Sequence, residues 1–373
     1  MNRPRMLIVN PILFHYRRGV FVELDQHPDV EVTFASDLGT LDGIAAMDPG
    51  DLHDHVALRT RSFMGIRWQS GVLRLLLKQR YEAAVFLGDV KYASTWVGAI
   101  VARLRGSRVA FWTIGWHRPE RGVKRLIRLW FYHIANVTML YGQIAQRIGE
   151  EMGFPVGRMT VIGNSVANTP GAHATEVAPL PIKAPGEKWL GAVIRLNAVK
   201  RLDLLVDAAH VLRNRGVDVH LLFGGDGPAR AHLEEATSRL GVPALFTGEV
   251  YGEPAVRGIY ELLDVTVVPA AVGLTAIQSL AHGVPVVSDN SAYTQMPEWE
   301  AIIPGETGDV YQPGDVNGLA DAIERVIDRT TSSPSETADR CRREVALHWS
   351  PQGHAERIVN AALGLDDYAT TER

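Results

Sequence analysis

The sequence has few of the features that mark secreted or membrane proteins. It has one cysteine, Cys341, among 373 residues, so no internal disulfide can form and a reducing compartment is indicated. The amino-terminal segment MNRPRMLIVNPILFHYRR has only a short apolar run before Pro11. That run predicts a first strand and is too short for a signal peptide or a membrane span. We therefore expect a cytoplasmic protein.

Other absences narrow the chemistry. The sequence has no Asp-x-Asp pair and no His/Cys spacing of the kind that holds a metal ion, so no metal site is predicted. After the first predicted strand it reads Asn10-Pro11-Ile12-Leu13 and not Gly-x-Gly-x-x-Gly, which disfavours a nicotinamide-dependent dehydrogenase. A recognised nucleic-acid motif is also missing and the pI is about 6.4, so nucleic acid is not an expected partner.

The charge is divided unevenly along the chain. Residues 1–185 carry 22 Lys/Arg against 15 Asp/Glu, and the remainder carries 16 against 27. A split of this kind suggests that the first half meets an anionic surface or ligand.

Alternating apolar strands and amphipathic helices run through both halves. This alternation predicts an α/β protein of two doubly wound, Rossmann-like domains, with ligands bound in a cleft between the carboxyl ends of the two sheets. The predicted domains are 1–167, completed by a C-terminal helix at 349–366, and 188–348. The proline-rich segment 168–187 is the predicted linker, and 330–335, TTSSPS, is a predicted loop.

Two basic stretches of the first half contain aromatic residues. The stretch from Arg59 to Arg80 has six cations and no acid, with Phe63 and Trp68 interleaved. A predicted helix from Arg121 to Asn136 lines up four apolar residues on one face, Val123, Ile127, Trp130 and Ile134. Such helices lie either at an anionic membrane surface or against a protein core. Both interpretations stay open at this point.

The segment Asp264–Asn290 reads as strand, turn, helix and strand, with the helix predicted from Leu274 to Ala281. The unpaired N–H groups of such a helix can seat a phosphate, although the helix can equally be a packing element. Arg195 and Lys200 follow the first strand of the second half, five residues apart, so both can reach one diphosphate.

Several segments together carry a family resemblance. They are VIRLNAVKRLDLLVDAA, LLFGGDGPARAHLE, PAAVGLTAIQSLAHGVPVVSDN, PEWEAIIPGETGDVYQPGD and VIGNSVANT. These segments resemble the retaining GT-B glycosyltransferases of family four, whose motifs include a Lys-Gly-x-Asp segment, a Gly-x-Gly-Pro-x-Arg loop and a Glu-x7-Glu signature. The likeness is dense over residues 190–325 and thinner over 1–167.

The resemblance implies roles for individual residues of the donor site. Arg195 and Lys200 would hold the donor diphosphate, and the backbone of Gly273, Leu274 and Thr275 would cap its β-phosphate. The remaining implied donor contacts are Gln278, at the second signature Glu, to the ribose, and Val250, within Gly248–Tyr251, to the base.

Other implied positions depart from the family pattern. Ala270 stands at the first signature Glu, so the donor would be a deoxy or otherwise atypical sugar, or water would fill the gap. The family histidine near the reacting sugar falls on His117 or, in another alignment, on Ile114, and His15 competes for that role. Arg17 and Arg18, in the loop after the first strand, would bind an anionic donor or acceptor.

The implied activity is a retaining, metal-independent transfer from a nucleoside diphosphate sugar to a hydroxyl of a glycan or lipid-linked acceptor. The expected setting is cell-surface polysaccharide or glycolipid assembly, with peripheral contact to the anionic inner face of the membrane. No cofactor is expected beyond the sugar-nucleotide co-substrate. A non-catalytic relative acting as a nucleotide-binding partner subunit, and a GT-B epimerase or phosphorylase, are the alternatives.

Overall fold

The computed structural model describes residues 3–41, 44–166 and 180–365, and the chain divides into two compact units. One unit is Met1–Ala167 with Ser350–Arg373, and the other is Asn168–Trp349. The predicted linker lies outside the described residues as far as residue 179, and residues 180–187 enter the second unit without helix or strand. In the described ranges, no helix has both the length and the apolar character needed to cross a bilayer.

The first unit is built on a parallel sheet. Its strands lie in the order β11–β10–β9–β8–β1–β2–β5, and β6 and β7 form a separate antiparallel hairpin. In chain order the elements are β1 (Arg5–Ile12), α1 (Arg18–Asp25), β2 (Glu31–Asp37), β3 (Thr40–Leu41), β4 (Ile44–Ala45), β5 (His55–Ala57), β6 (Arg59–Phe63), β7 (Ile66–Ser70), α2 (Val72–Lys78), β8 (Ala83–Leu87), α3 (Ala93–Leu104), β9 (Arg108–Thr113), α4 (Gly122–Ile134), β10 (Val137–Leu140), α5 (Gln143–Glu151) and β11 (Met159–Val161).

The central strands of this sheet are apolar on both faces, as parallel strands covered by helices must be. Along β1, for example, Met6 and Ile8 belong to one core cluster, and Leu7 and Val9 to the cluster on the opposite face. Helices α2, α3 and α4 all contribute to the second cluster and therefore cover the same face of the sheet.

The second unit repeats the architecture with strand order β14–β13–β12–β15–β16–β17, all parallel. Its elements are β12 (Lys188–Val193), α6 (Leu202–Asn214), β13 (Val219–Gly224), α7 (Arg230–Leu240), β14 (Ala244–Gly248), α8 (Glu253–Leu262), β15 (Val265–Val267), α9 (Thr275–Ala281), β16 (Val286–Asp289), β17 (Gly308–Tyr311), α10 (Val316–Ser332) and α11 (Pro334–His348). The predicted α/β class with doubly wound parallel sheets is confirmed for both units.

The chain then returns to the first unit through α12 (Pro351–Leu363). Ser350 caps this helix, its Oγ accepting a hydrogen bond from the backbone N–H of Gly353 at 3.2 Å. Ile358 and Val359 are fully buried in the same core cluster as β1 and α1. The observed helix thus begins at Pro351 and ends at Leu363, inside the predicted bounds 349–366.

One local prediction was wrong, and one question that the sequence left open is answered. Residues 330–335 are not a loop, because α10 continues to Ser332 and α11 begins at Pro334; proline fits the first turn of a helix, where its missing N–H has no partner to lose. The open question is which side of α4 its apolar residues occupy. Val123, Ile127 and Trp130 are exposed, while the helix buries Phe131 and Tyr132.

Candidate functional site

The strand order of the second unit fixes where a ligand should bind. From β12 the chain proceeds to β13 and β14 on one side, then crosses to β15 on the other side of β12. The carboxyl ends of β12 and β15 therefore flank the point where the strand order reverses, which is the binding crevice of doubly wound sheets. The loop that carries Arg195 and Lys200 follows β12, and the loop that carries Gly273 follows β15.

Lys200 joins these two loops. Its Nζ donates a hydrogen bond to the carbonyl oxygen of Ala271, and its own carbonyl oxygen accepts one from the N–H of Ala270 at 3.2 Å. Burial of the side chain lowers the pKa of Lys200 below its usual value, and the Glu298 carboxylate opposes part of that shift. The structure thus holds a half-buried ammonium group beside the turn that leads to Gly273.

The turn itself is fixed in a shape that leaves N–H groups unused. The side-chain oxygen of Gln295 accepts a hydrogen bond from the N–H of Val272 at 2.9 Å. Gly273 has a left-handed φ of 61°, and the right-handed Leu274 follows it, a combination that turns successive N–H groups toward one concave side. The described residues provide no acceptor for the N–H groups of Gly273, Leu274 and Thr275. The helix behind them, α9, has only 7 residues, so local N–H groups matter more here than a macrodipole.

Gln295 anchors the turn to the neighbouring strand as well. It is 4% exposed, and its Nε2 donates to Ser288 Oγ at 2.8 Å and to Asp289 Oδ1 at 3.0 Å. On the opposite side, Thr275 Oγ1 lies 3.4 Å from the carbonyl oxygen of Val193, at the end of β12. A turn held from both sides is preorganised for a ligand.

A glycine-rich loop supports the segment that carries Arg195. Backbone bonds join the N–H of Ile194 to Gly224 O at 2.8 Å and that of Leu196 to Asp226 O at 2.9 Å. A Cβ placed on Gly225 would stand 2.0 Å from the Ile194 carbonyl oxygen. The loop is therefore a close backbone support for the Arg195 segment, which explains its glycines.

The remaining donor-side residues lie around the same sheet edge. Arg195 is exposed, and its charge acts on the phenol of Tyr251. Gln278 Oε1 accepts a hydrogen bond from the Tyr260 hydroxyl at 3.4 Å. Val250 places its side chain in a core cluster, which leaves its backbone for a base. These positions are compatible with the predicted roles, which stay predictions.

Ala270 is half-buried and stands directly before the turn. Its methyl group offers neither a charge nor a hydrogen bond to a sugar. The sequence reasoning missed two residues of this site, Glu298 and Gln295, although Glu298 lies in the Pro-Glu segment used for the resemblance. Both are buried polar side chains, and sequence alone does not show that a polar residue is buried.

The first unit has its own reversal point, between β1 and β8. Arg17 follows β1 there, with its guanidinium bonded to the Tyr141 hydroxyl and 4.8 Å from the centre of that ring. Arg18 pairs with Asp51 at 2.7 Å, so its charge is already partly compensated. His15 stacks edge-on against Tyr16 with ring centres 5.7 Å apart.

His117 lies in the loop after β9, between two residues that are fixed by the surrounding structure, Trp116 and Glu120. Trp116 is buried, and Glu120 is bound by Arg128 through two bonds of 2.8 Å. Partial burial, then the positive charges of Arg128 and Arg118, lower the pKa of His117, which favours a neutral ring at pH 7. Ile114, the other residue considered for this role, packs against a core cluster.

Among the described residues, one group brings three possible metal ligands within 4.8 Å of one another: Glu187, Asp218 and His220. They lie at the amino ends of β12 and β13, across the sheet from Lys200. Arg213 pairs with Asp218 at 3.2 Å, and Trp189 stacks on His220. These contacts account for the cluster as part of the protein's own packing.

Comparisons with known proteins show which proteins the chain is similar to. The profile of the family described as "Glycosyl transferases group 1" matches residues 187–329, which contain the whole turn and both cations. A mannosyltransferase of Mycobacterium tuberculosis (strain ATCC 25177 / H37Ra), named GDP-mannose-dependent alpha-(1-6)-phosphatidylinositol dimannoside mannosyltransferase, is 35% identical over 174 residues. That match covers 46% of this chain and 42% of the relative, so the chain spans under half the length of the curated relatives it matches.

Solved structures show the same fold over nearly the whole chain. A glycosyltransferase from Rickettsia africae superposes with a TM-score of 0.73 at 15% identity, covering 99% of this chain and 100% of that one. The Anabaena protein HepE in complex with UDP gives 0.70 at 14% identity, covering 96% and 99%. Residues 187–329 therefore match the glycosyl transferases group 1 family, and the chain shares the fold of these GT-B glycosyltransferases.

Proposed function

We propose that the protein transfers a sugar from a nucleoside diphosphate sugar to a hydroxyl of a glycan or lipid-linked acceptor, with retention of the anomeric configuration. The observation that carries the proposal is the Lys200 ammonium, held by Ala271 at the turn whose next N–H groups are unpaired. A cation beside a concave set of N–H groups is suited to a diphosphate.

The chemistry follows from where charge develops. As the bond from the sugar to the diphosphate breaks, negative charge grows on the leaving phosphate oxygen. Lys200, Arg195 and the N–H groups of the turn would stabilise that charge without needing to reorganise. These cations support the proposal of a metal-independent transfer, and turnover unchanged by a strong chelator is the expected result.

The names of the similar proteins mention two different donor nucleotides. The mycobacterial relative is named for GDP-mannose, and HepE was solved with UDP. We propose no particular base on these grounds. The side chain of Val250 packs in a core cluster, so this residue can offer a base only its backbone atoms. A calorimetric panel of UDP, GDP, ADP and dTDP would test nucleotide binding directly. Failure of all four to bind would refute the proposed function.

The acceptor side points to an anionic setting. Arg17 stands at the reversal point of the first unit, where it can bind a phosphate of a lipid-linked acceptor. We propose that the protein works in the cytoplasm, at the inner face of the membrane, in polysaccharide or glycolipid assembly. Transfer assays with a lipid-phosphate acceptor and its phosphate-free alcohol would test this, with Arg17→Gln impaired mainly on the phosphorylated one.

A second function, a catalytically silent partner subunit that binds nucleotide, is favoured by one observation. Ala270 offers the donor sugar no hydrogen bond, where the family pattern has a glutamate. Product analysis separates the functions. A transferase releases nucleoside diphosphate only with an acceptor present, whereas a silent subunit binds the sugar nucleotide without consuming it. An epimerase or phosphorylase would convert its sugar substrate with no acceptor alcohol.

A further inference from the structure

Helix α4 packs on the core through Phe131 and Tyr132, but it also carries a row of apolar residues that faces away from the core. Val123, Leu126, Ile127 and Trp130 recur at helical spacing, and they are 70%, 48%, 42% and 71% exposed. We call these four residues the α4 stripe. A surface helix normally turns such a stripe toward the core.

The arginines of the same helix, in contrast, bind the protein. Arg125 donates two hydrogen bonds to the Met152 carbonyl oxygen, at 3.1 and 2.8 Å. Arg128 binds the Glu120 carboxylate and the carbonyl oxygen of Gly115. The orientation of α4 is therefore fixed by these polar contacts together with the buried Phe131 and Tyr132, and it leaves the α4 stripe facing outward.

The β6–β7 hairpin has a similar outer face. Arg61 lies opposite Trp68 and Phe63 opposite Ile66, so all four side chains share one side of the hairpin. Phe63 is 77% and Ile66 58% exposed, and Met64 at the turn is 87% exposed. We call Phe63, Met64 and Ile66 the hairpin tip.

The inner side of the hairpin fixes that orientation. Gln69 is 3% exposed and donates from Nε2 to the Asn10 carbonyl oxygen at 2.8 Å. Arg67 binds the Tyr92 hydroxyl at 3.1 Å, just before α3. The apolar side chains of the hairpin tip consequently cannot turn inward without breaking these bonds.

Helix α3 connects the two apolar sets. Its amino end holds the hairpin through Ser94 Oγ, which accepts from the N–H of Gln69 at 3.0 Å. Along its length it packs against α4, with the rings of Trp96 and Phe131 4.7 Å apart. The hairpin tip and the α4 stripe thus belong to neighbouring parts of one unit.

The positive charge around α4 and the β6–β7 hairpin indicates what kind of partner this surface would bind. Residues 55–149 contain 16 Lys/Arg and three Asp/Glu, and these three acids are Glu82, Asp89 and Glu120. Glu120 is bound to Arg128 and Lys124. A surface that combines exposed aromatic and aliphatic side chains with a strong excess of cations matches an anionic lipid bilayer, since the headgroups meet the cations and the acyl chains meet the apolar residues.

We infer that the α4 stripe and the hairpin tip form a docking surface for an anionic lipid bilayer, and that both sets insert into its interface. The inference deepens the proposed function, because it identifies the surface that would bring the protein to a lipid-linked acceptor. It does not require that the sugar transfer be correct.

The test is binding to vesicles, with the full chain and variants at exposed positions that leave the core intact. Trp130→Ser with Val123→Ser removes part of the stripe, and Phe63→Ser with Met64→Ser removes part of the tip. Leu347→Ser is the matched control, because Leu347 is an apolar residue of the second unit that is 62% exposed. Vesicles of phosphatidylglycerol in phosphatidylcholine are compared with phosphatidylcholine alone.

We expect the parent chain to sediment with the anionic vesicles and not with the neutral ones. Each double variant should lower the partition coefficient by about 10-fold or more, as expected for withdrawing a large apolar side chain from the interface. Arg59→Gln and Arg61→Gln should lower it by about 5-fold for each cation removed. The Leu347→Ser chain should bind like the parent.

A probe at the surface gives an independent readout. Cys341 is buried, so a cysteine introduced by Val123→Cys can be labelled selectively with a polarity-sensitive dye. Anionic vesicles should shift its emission to the blue, and the same dye at Leu347→Cys should not respond. Equal binding of the parent to both vesicle types, or unchanged binding of both double variants, would overturn the inference.

Two further outcomes separate the competing interpretations. A concentration-dependent dimer in light scattering that the Trp130 variant abolishes would make a second copy of the chain the occupant, against our inference. Nucleotide binding by calorimetry distinguishes this inference from the proposed function. If the parent chain binds nucleotide but not anionic vesicles, only the inference of a docking surface is refuted. If it binds anionic vesicles but no nucleotide, only the proposed function is refuted.

Discussion

Replacing Lys200 by methionine should remove the charge at the diphosphate while keeping the length of the side chain. The ammonium group donates to Ala271 and lies close to the Glu298 carboxylate. A hydrogen bond to a charged group contributes about 1.5–3 kcal/mol, which corresponds to about 10- to 150-fold in affinity for a nucleoside diphosphate. Turnover should fall by about 100- to 1,000-fold, since charge on the leaving oxygen is largest in the transition state.

The matched control is Lys188→Met. Lys188 begins β12 at the opposite edge of the same sheet, and its Nζ donates to Thr331 Oγ1 at 3.0 Å. Calorimetry with nucleoside diphosphate, single-turnover transfer and a thermal melt should be run on both variants. Near-normal affinity and turnover of the Lys200→Met chain, with its melt unchanged, would refute the assigned role.

The dependence on pH gives a sharper version of the same test. Burial lowers the pKa of Lys200 below the ordinary lysine value of 10.5. A diphosphate prefers the protonated form, so affinity should be flat at lower pH and fall as pH rises through the lowered pKa, by about tenfold per unit. Lys200→Arg keeps its charge over this range and should lose the fall. Ionisation of the nucleotide base affects the parent and the Lys200→Arg variant alike. If affinity falls with pH in the same way for both proteins, Lys200 is not the protonated group in the complex.

Three further predictions concern Ala270, Gln295 and His117. Ala270→Glu should change the relative turnover of hexose and deoxyhexose donors, because it supplies a carboxylate for a sugar hydroxyl; an unchanged donor profile would show that position 270 does not face the sugar. Gln295→Ala should lower the free energy of unfolding by about 2–3 kcal/mol, since it leaves the N–H of Val272 without its acceptor and removes one hydrogen bond each from the buried Ser288 and Asp289. Denaturant unfolding measures this, with exposed Gln79→Ala as the comparison. His117 should titrate below pH 6.5 by NMR, because partial burial and Arg128 lower its pKa, and activity should decline as pH falls through the pKa of His117. The His117→Asn variant should be slower and should lack this decline. If the variant still loses activity at low pH, the decline belongs to another group.

Local sequence determined most of the secondary structure. The helix predicted from Leu274 to Ala281 is observed as α9, Thr275–Ala281, and the helix predicted from Arg121 to Asn136 is observed as α4, Gly122–Ile134. Both agree within two residues because apolar periodicity and the residues that end an element act over a few neighbours. The same reasoning failed at 330–335, where five small polar residues and a proline favour a loop. There α10 and α11 pack into the second unit through Ile323, Val326 and Cys341, and tertiary packing outweighs weak local propensity.

The candidate site was only partly accessible from sequence. Spacing after a strand, together with the family resemblance, was enough to select Arg195 and Lys200 as candidate diphosphate ligands, since parallel strands end at one edge of a sheet. It did not reveal Gln295 or Glu298, whose importance comes from burial next to residues distant in the chain. It also did not decide which face of α4 meets solvent, because amphipathic periodicity defines two faces but not which one has a partner.

The sequence by itself therefore determined that the chain forms alternating parallel β/α units with cations after a strand of the second half, because these features depend on neighbours along the chain. Only the tertiary structure decided three other properties: the strand order that brings Lys200 to the Ala271 turn, the partial burial that lowers its pKa, and the outward direction of Trp130. Each depends on contacts between residues far apart in sequence, and local patterns do not encode which of those contacts form.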